Sequence, residues 1–91
     1  MSADLEVAIA AANRATLQFH GLMAIHGIDF KKLGDLVVWP AGLHEAHEAW
    51  TAGMVGVVKA LAREKGIPDA SRLSEYDRVA LTVLAYDLVM S

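Results

Sequence analysis

Apolar residues recur along this chain at helical spacing. Near the start, Leu5, Ile9, Ala12, Phe19 and Met23 share one face at about 100° per residue, with Glu6, Asn13 and His20 on another. A helix over Ala3 to Ile25 follows, N-capped by Ser2, favoured at its positive end by Asp4 and Glu6, and stopped by Gly27 in the left-handed C′ conformation. Asp29 can cap a single turn, Phe30 to Leu33, closed by Gly34. The stretch Leu36-Val37-Val38-Trp39 precedes a proline, which pushes it toward extended geometry. With no second strand to pair with, it reads as a buried extended connector, strand addition across a dimer being the minor alternative. Pro40 suits the first turn of a second helix, Ala41 to Lys65, which ends at Gly66, Ile67 and Pro68. A third begins near Ser74, where Ser74 and Asp77 approximate a capping box, and runs to Met90. The expected fold class is therefore all-α: one domain over 1–91, a compact bundle of three main helices (3–25, 41–65 and 74–90) and a short turn at 30–33.

Two helices carry more contact surface than such a bundle needs. Along the second, Leu43, Trp50, Met54, Val57 and Leu61 form a core face, and beside them runs a stripe of small residues, Ala46, Ala49, Gly53, Gly56 and Ala60. Glycine inside a helix costs roughly 1 kcal/mol against alanine, so close approach of another helix is the expected compensation, this chain's own first or last helix being the preferred partner and a self-association groove the alternative. The last helix is apolar on two sides: Val79, Val83, Tyr86 and Met90 on one, Leu81, Leu84 and Leu88 on the other. A terminal helix is hard to enclose from both sides. Leu81, Leu84 and Leu88 are accordingly expected to lack a partner within the chain and to form a subunit interface, with Tyr76 and Tyr86 as aromatic anchors and Ala49, Gly53, Gly56 and Ala60 as a second contact.

Composition strengthens that reading. Hydrophobic residues make up 55% of the 91 positions and mean hydropathy is +0.35. A domain this small buries only about 60–65% of the surface its unfolded chain exposes, so surplus apolar faces are expected to meet another chain. No run approaches the roughly 20 apolar residues of a membrane span; the longest, Val79 to Tyr86, ends at Asp87. Asp4 and Glu6 stand where a secretory leader is basic, so no signal peptide and a cytoplasmic location are expected. There is no cysteine for a disulfide or thiolate metal site. A net charge of −3 argues against broad attraction to nucleic acid or anionic membrane.

The candidate chemistry is thin. On a helix, His44, His47 and Glu48 lie within about 100° of arc and could present two imidazoles and a carboxylate to zinc or iron. The paired Glu-x-x-His of di-iron bundles and the His-Glu-x-x-His of zinc proteases are both absent. The preferred reading is a polar helix start, with His47 leaning toward Trp50. A phosphorelay role for His47 is disfavoured because Trp50 and Thr51 stand where Lys and Gly are expected. The stretch Leu61 to Tyr76 resembles a helix-turn-helix in the spacing of Ala62 and Gly66, but Leu73 falls one place late and Pro68 sits in the turn. Its basic residues Lys59, Arg63, Lys65, Arg72 and Arg78 are nearly balanced by Glu64, Asp69, Glu75 and Asp77. No phosphate loop, activated nucleophile or carboxylate pair stands out.

The expected function is that of a non-enzymatic, cofactor-free, homo-oligomeric protein acting by protein contact, regulatory or inhibitory in role; phage-encoded antagonists are among the small acidic proteins of this kind. Its expected partners are itself and another protein, with no nucleic acid and no membrane. The alternatives are a structural assembly subunit, a metal-binding helical protein using His44, His47 and Glu48, and a divergent helix-turn-helix protein.

Overall fold

The computed structural model describes residues 2–90 and is all-α. Three main helices pack on one another: α1 (Ala3–Ile25), α3 (Leu43–Glu64) and α4 (Glu75–Met90). A short α2 (Phe30–Asp35) and a 3-10 turn (Ala70–Arg72) lie in the connections, and the described residues contain no strand.

The helix ends follow the local code closely. Ser2 Oγ accepts from Leu5 N at 3.1 Å, Asp29 Oδ1 from Lys32 N at 2.8 Å, and Ser74 Oγ from Asp77 N at 3.1 Å. α1 and α3 both close on a left-handed glycine, Gly27 (φ +65°) and Gly66 (φ +82°). In each, the next amide reaches back to the fifth residue before it: Ile28 N to Met23 O at 2.8 Å, and Ile67 N to Ala62 O at 2.9 Å. This is the six-to-one bond of a Schellman motif, with an apolar residue following the glycine.

The structure differs from the sequence pattern in three places. α3 starts at Leu43 rather than Ala41, because Gly42 adopts a left-handed conformation (φ +83°) and Pro40 forms the preceding turn, accepting from Leu43 N at 3.1 Å. α2 continues through Gly34 to Asp35. The Leu36–Trp39 connector is not buried: Val37 is 98% exposed and Val38 79%. Leu33 and Trp39 cover the underlying helices instead and leave the two valines outward.

α1 and α3 run antiparallel, since Ser2 meets Glu64, Ala12 meets Gly53 and Phe19 meets Trp50. Gly53 explains how closely they approach. A Cβ there would lie 2.9 Å from Ala12 Cα and 3.3 Å from Ala12 Cβ. The small-residue stripe thus divides. Gly53 packs on this chain's own first helix, and Ala46 and Ala60 are buried in the core, whereas Ala49 is exposed and a Cβ on Gly56 would have nothing within 4 Å. For Gly53 and Ala60 the reading of close packing within the chain therefore holds, and their alternative assignment to a subunit contact is corrected.

The core has two parts. Leu5, Ala12, Met54, Val57, Leu61, Leu81, Ala85 and Val89 join the three helices, while Phe19, Met23, Leu33, Leu43 and Ala46 pack beneath α2, and Trp50 touches both groups. α4 turns Leu81, Ala85 and Val89 inward, and Asn13 Nδ2 donates to Val89 O at 2.9 Å. This overturns the face assigned to α4 from sequence. Leu81 is only 3% exposed and Leu88 packs against the core, so neither lacks a partner face within the chain; of the three leucines, Leu84 alone is exposed.

Ser2 N donates to Glu64 Oε1 at 2.7 Å and ties the start of α1 to the end of α3. Bonds from the Ser2 backbone amide and then its side chain hold the Glu64 carboxyl below its ordinary value. A lowered carboxylate pKa means that this tie supports the fold above the ordinary carboxylate range and is lost as pH falls through the lowered value.

The two glycines of α3 make a matched test. In dilute protein, Gly53→Ala should destabilise by about 1 kcal/mol or more, because overpacking against the Ala12 backbone outweighs the helix-propensity gain. Gly56→Ala should stabilise by about 0.5–1 kcal/mol, because its added methyl meets open space. Urea denaturation of both variants measures the difference, and equal effects would contradict this packing.

Candidate functional site

Three features stand out. The first is the outward side of α4. Tyr76, Val79, Val83, Tyr86 and Met90 follow one another at intervals of three, four, three and four residues, and all are exposed, by 82, 56, 57, 38 and 46%. That alternation keeps them in one stripe along a 16-residue helix, the seam geometry of paired helices. At 1.5 Å per residue the stripe is about 20 Å long. Of the leucines expected to form the interface, Leu81 is core and Leu88 packs against it while Leu84 is exposed, and Val79, Val83, Tyr86 and Met90 of the other side form the ridge with Tyr76.

The second feature is the side of the α1/α3 pair turned away from α4. Asn13 and Gln18 flank the buried Ala12–Phe19 line of α1 on opposite sides; Asn13 bonds α4, and Gln18 lines an open groove. This groove, about 470 Å³, is bounded by Leu17, Gly21, Leu22 and Ile25 of α1 and by Glu45, Ala46 and Ala49 of α3. Helical periodicity extends its surface toward the other end through Val7, Ala11 and Arg14 on α1 and Ala52, Gly56 and Arg63 on α3. These residues are exposed apart from half-buried Gly56. Small residues, Ala11, Ala49, Ala52 and Gly56, run along this face between the larger Val7, Leu17 and Ile25, and Gly21 and Gly56 have no atom within 4 Å of an added Cβ. The alanine-rich run of α1 was visible in the sequence, but only the packing shows that Ala11, Ala49, Ala52 and Gly56 share a surface.

The third is a cluster of rings where α1, α2 and α3 meet. Phe19 stacks on Trp50 at 5.3 Å and meets His47 edge-on at 5.3 Å. Trp39 stacks on His44 at 4.6 Å and meets His47 edge-on at 5.3 Å. Phe30 covers His20 at 5.5 Å, and Tyr86 brings α4 against Trp50 at 6.0 Å. Within it His20 Nε2 and Trp50 Nε1 are buried without a hydrogen-bond partner. Such groups weaken a core modestly unless ring faces compensate them.

These ring contacts explain how the polar start of α3 is arranged. His44 lies flat on Trp39, His47 turns inward onto Phe19, Trp39 and Trp50, and Glu48 is exposed. Among the described residues, no group of three or more histidine, aspartate or glutamate side chains is gathered to hold a metal ion. His44, His47 and Glu48 share a helical arc but are not brought to a common point. No helix of the described residues is long and apolar enough to cross a membrane.

Comparison with protein-family models, with curated proteins and with solved structures finds no match to this chain.

The cluster predicts unequal roles for the two histidines. His47→Ala removes contacts with three rings and should destabilise by about 1–2 kcal/mol. His44→Ala, at an exposed position with one stacked partner, should cost less than about 1 kcal/mol. Neither difference should change when a chelator is added. Thermal melts of both variants with and without EDTA test this, and a chelator-dependent loss confined to the wild type would restore the metal reading.

Proposed function

We propose that this protein is a non-enzymatic module of the cytoplasm that works by protein–protein contact, self-associating and regulating or inhibiting a larger partner. The observation that carries this reading is the ridge of α4, five large apolar side chains held outward in one stripe. Scattered exposed hydrophobics are ordinary on a small protein, but a contiguous helical stripe is the form in which helices bind one another. The aromatic cluster supports a structural role for the histidines, since each described imidazole in it is engaged by a ring. A DNA-reading role for α4 finds no support in its outward face, which carries tyrosine, valine and methionine where base recognition uses polar side chains. The second uncovered face across the molecule supports, as a second reading, a structural assembly subunit.

At about 100 μM, light scattering should give a mass above the 9.8 kDa of one chain. Val83→Glu places a charge at the centre of the ridge without disturbing the core and should reduce the mass to that of a monomer with helicity unchanged. A wild-type monomer at that concentration contradicts the self-association reading.

A further inference from the structure

We propose that the ridge of α4 on one copy docks on the α1/α3 face of a second copy, so that subunits add head to tail. The inference rests on the contact reading above and names the partner surface. Three observations lead to it.

The two surfaces differ in kind and lie on opposite sides of the same molecule. The ridge projects tyrosines, valines and a methionine, while along its middle the α1/α3 face presents Ala11, Ala49, Ala52 and Gly56, flanked by Val7, Leu17 and Ile25. Large side chains fit over small ones, and a helix laid between two others fills the place a fourth helix would take in a bundle. A two-fold pairing of α4 with α4 would meet a single helix over little more than two heptads. The α1/α3 seat offers two helices to the same ridge and covers more of it.

The charges correspond as well. Glu75 and Asp87 stand on opposite flanks of the ridge, twelve positions apart, or about 18 Å along the axis. On the seat, Arg14 belongs to α1 and Arg63 to α3. With Ala12 level with Gly53, Arg14 lies near the level of residue 51, which again places the two arginines about 18 Å apart along the axis and on opposite sides. A docked α4 running parallel to α1 sets Asp87 beside Arg14 and Glu75 beside Arg63, with the diagonals of the same hand. The acids of the seat, Asp4 and Glu45, occupy the other diagonal, away from Glu75 and Asp87. In this register Met90 enters the upper groove beside Ala49. Because donor and acceptor are different surfaces, the contact does not close on itself in a pair, and further copies add in a ring or an open series.

Complementation between two variants tests the arrangement. Val83→Glu disables the ridge and leaves the seat. Gly56→Glu disables the seat and leaves the ridge, and it keeps the fold because the position is open and glutamate is the better helix former. Each variant alone should be monomeric by light scattering at concentrations where the wild type assembles, with circular dichroism unchanged. Their equimolar mixture should give a 1:1 dimer and nothing larger. Arg63→Glu should lower the wild-type mass, and adding Glu75→Arg in the same chain should restore it. If Gly56→Glu assembles as the wild type does, or if the mixture stays monomeric, the head-to-tail arrangement is wrong while self-association stands. A monomeric wild type instead removes the contact reading itself.

Discussion

The approach of α1 to α3 at Ala12 and Gly53 is the constraint on which the rest of the structure depends. With no side chain on Gly53, the α3 backbone comes close enough that even one methyl would press on Ala12. That contact sets the level at which the two antiparallel helices meet. It thereby aligns Phe19 with Trp50 above it and Ser2 with Glu64 below. Dispersion forces fall off steeply with distance, so one close backbone approach lets the flanking side chains interlock at ordinary packing density.

From that alignment follows the division of the core. Below Trp50, α4 covers the pair with Leu81, Ala85 and Val89; above it, the six-residue α2 and the Trp39 connector cover Phe19 and Met23. A short helix has little side chain to offer, and rings fill the remaining space. Phe30, Trp39, His44 and His47 close the upper end mostly through aromatic contacts, leaving the polar edges of the imidazoles to ring faces or solvent.

A three-helix layer of this size leaves two surfaces without cover. α4 has an inner and an outer side and only one can face the core. The α1/α3 pair has a side that α4 does not reach. Both surfaces are apolar, one bulky and one small, and a molecule that carries both on opposite sides is suited to meeting copies of itself. On the reading proposed above, these two surfaces are where the high apolar content of the chain is used.

Helix existence and most helix ends were determined by local sequence, the start of α3 and the end of α2 excepted. Ser2, Asp29 and Ser74 cap as hydroxyl and carboxylate side chains do near free amides, and Gly27 and Gly66 stop their helices because they adopt positive φ without a steric penalty. The core stripes of α1 and α3 were legible for the same reason, since periodicity alone places Leu5, Ala12 and Phe19 together, and Leu43, Met54 and Val57. Which side of α4 is buried was decided by tertiary structure: both sides are hydrophobic, and only packing against α1 and α3 turns Leu81 inward and Val83 outward. The roles of Gly53 and Gly56 likewise separate only once α1 is in place, because a sequence records that both lack a side chain but not which of them has a backbone lying against it.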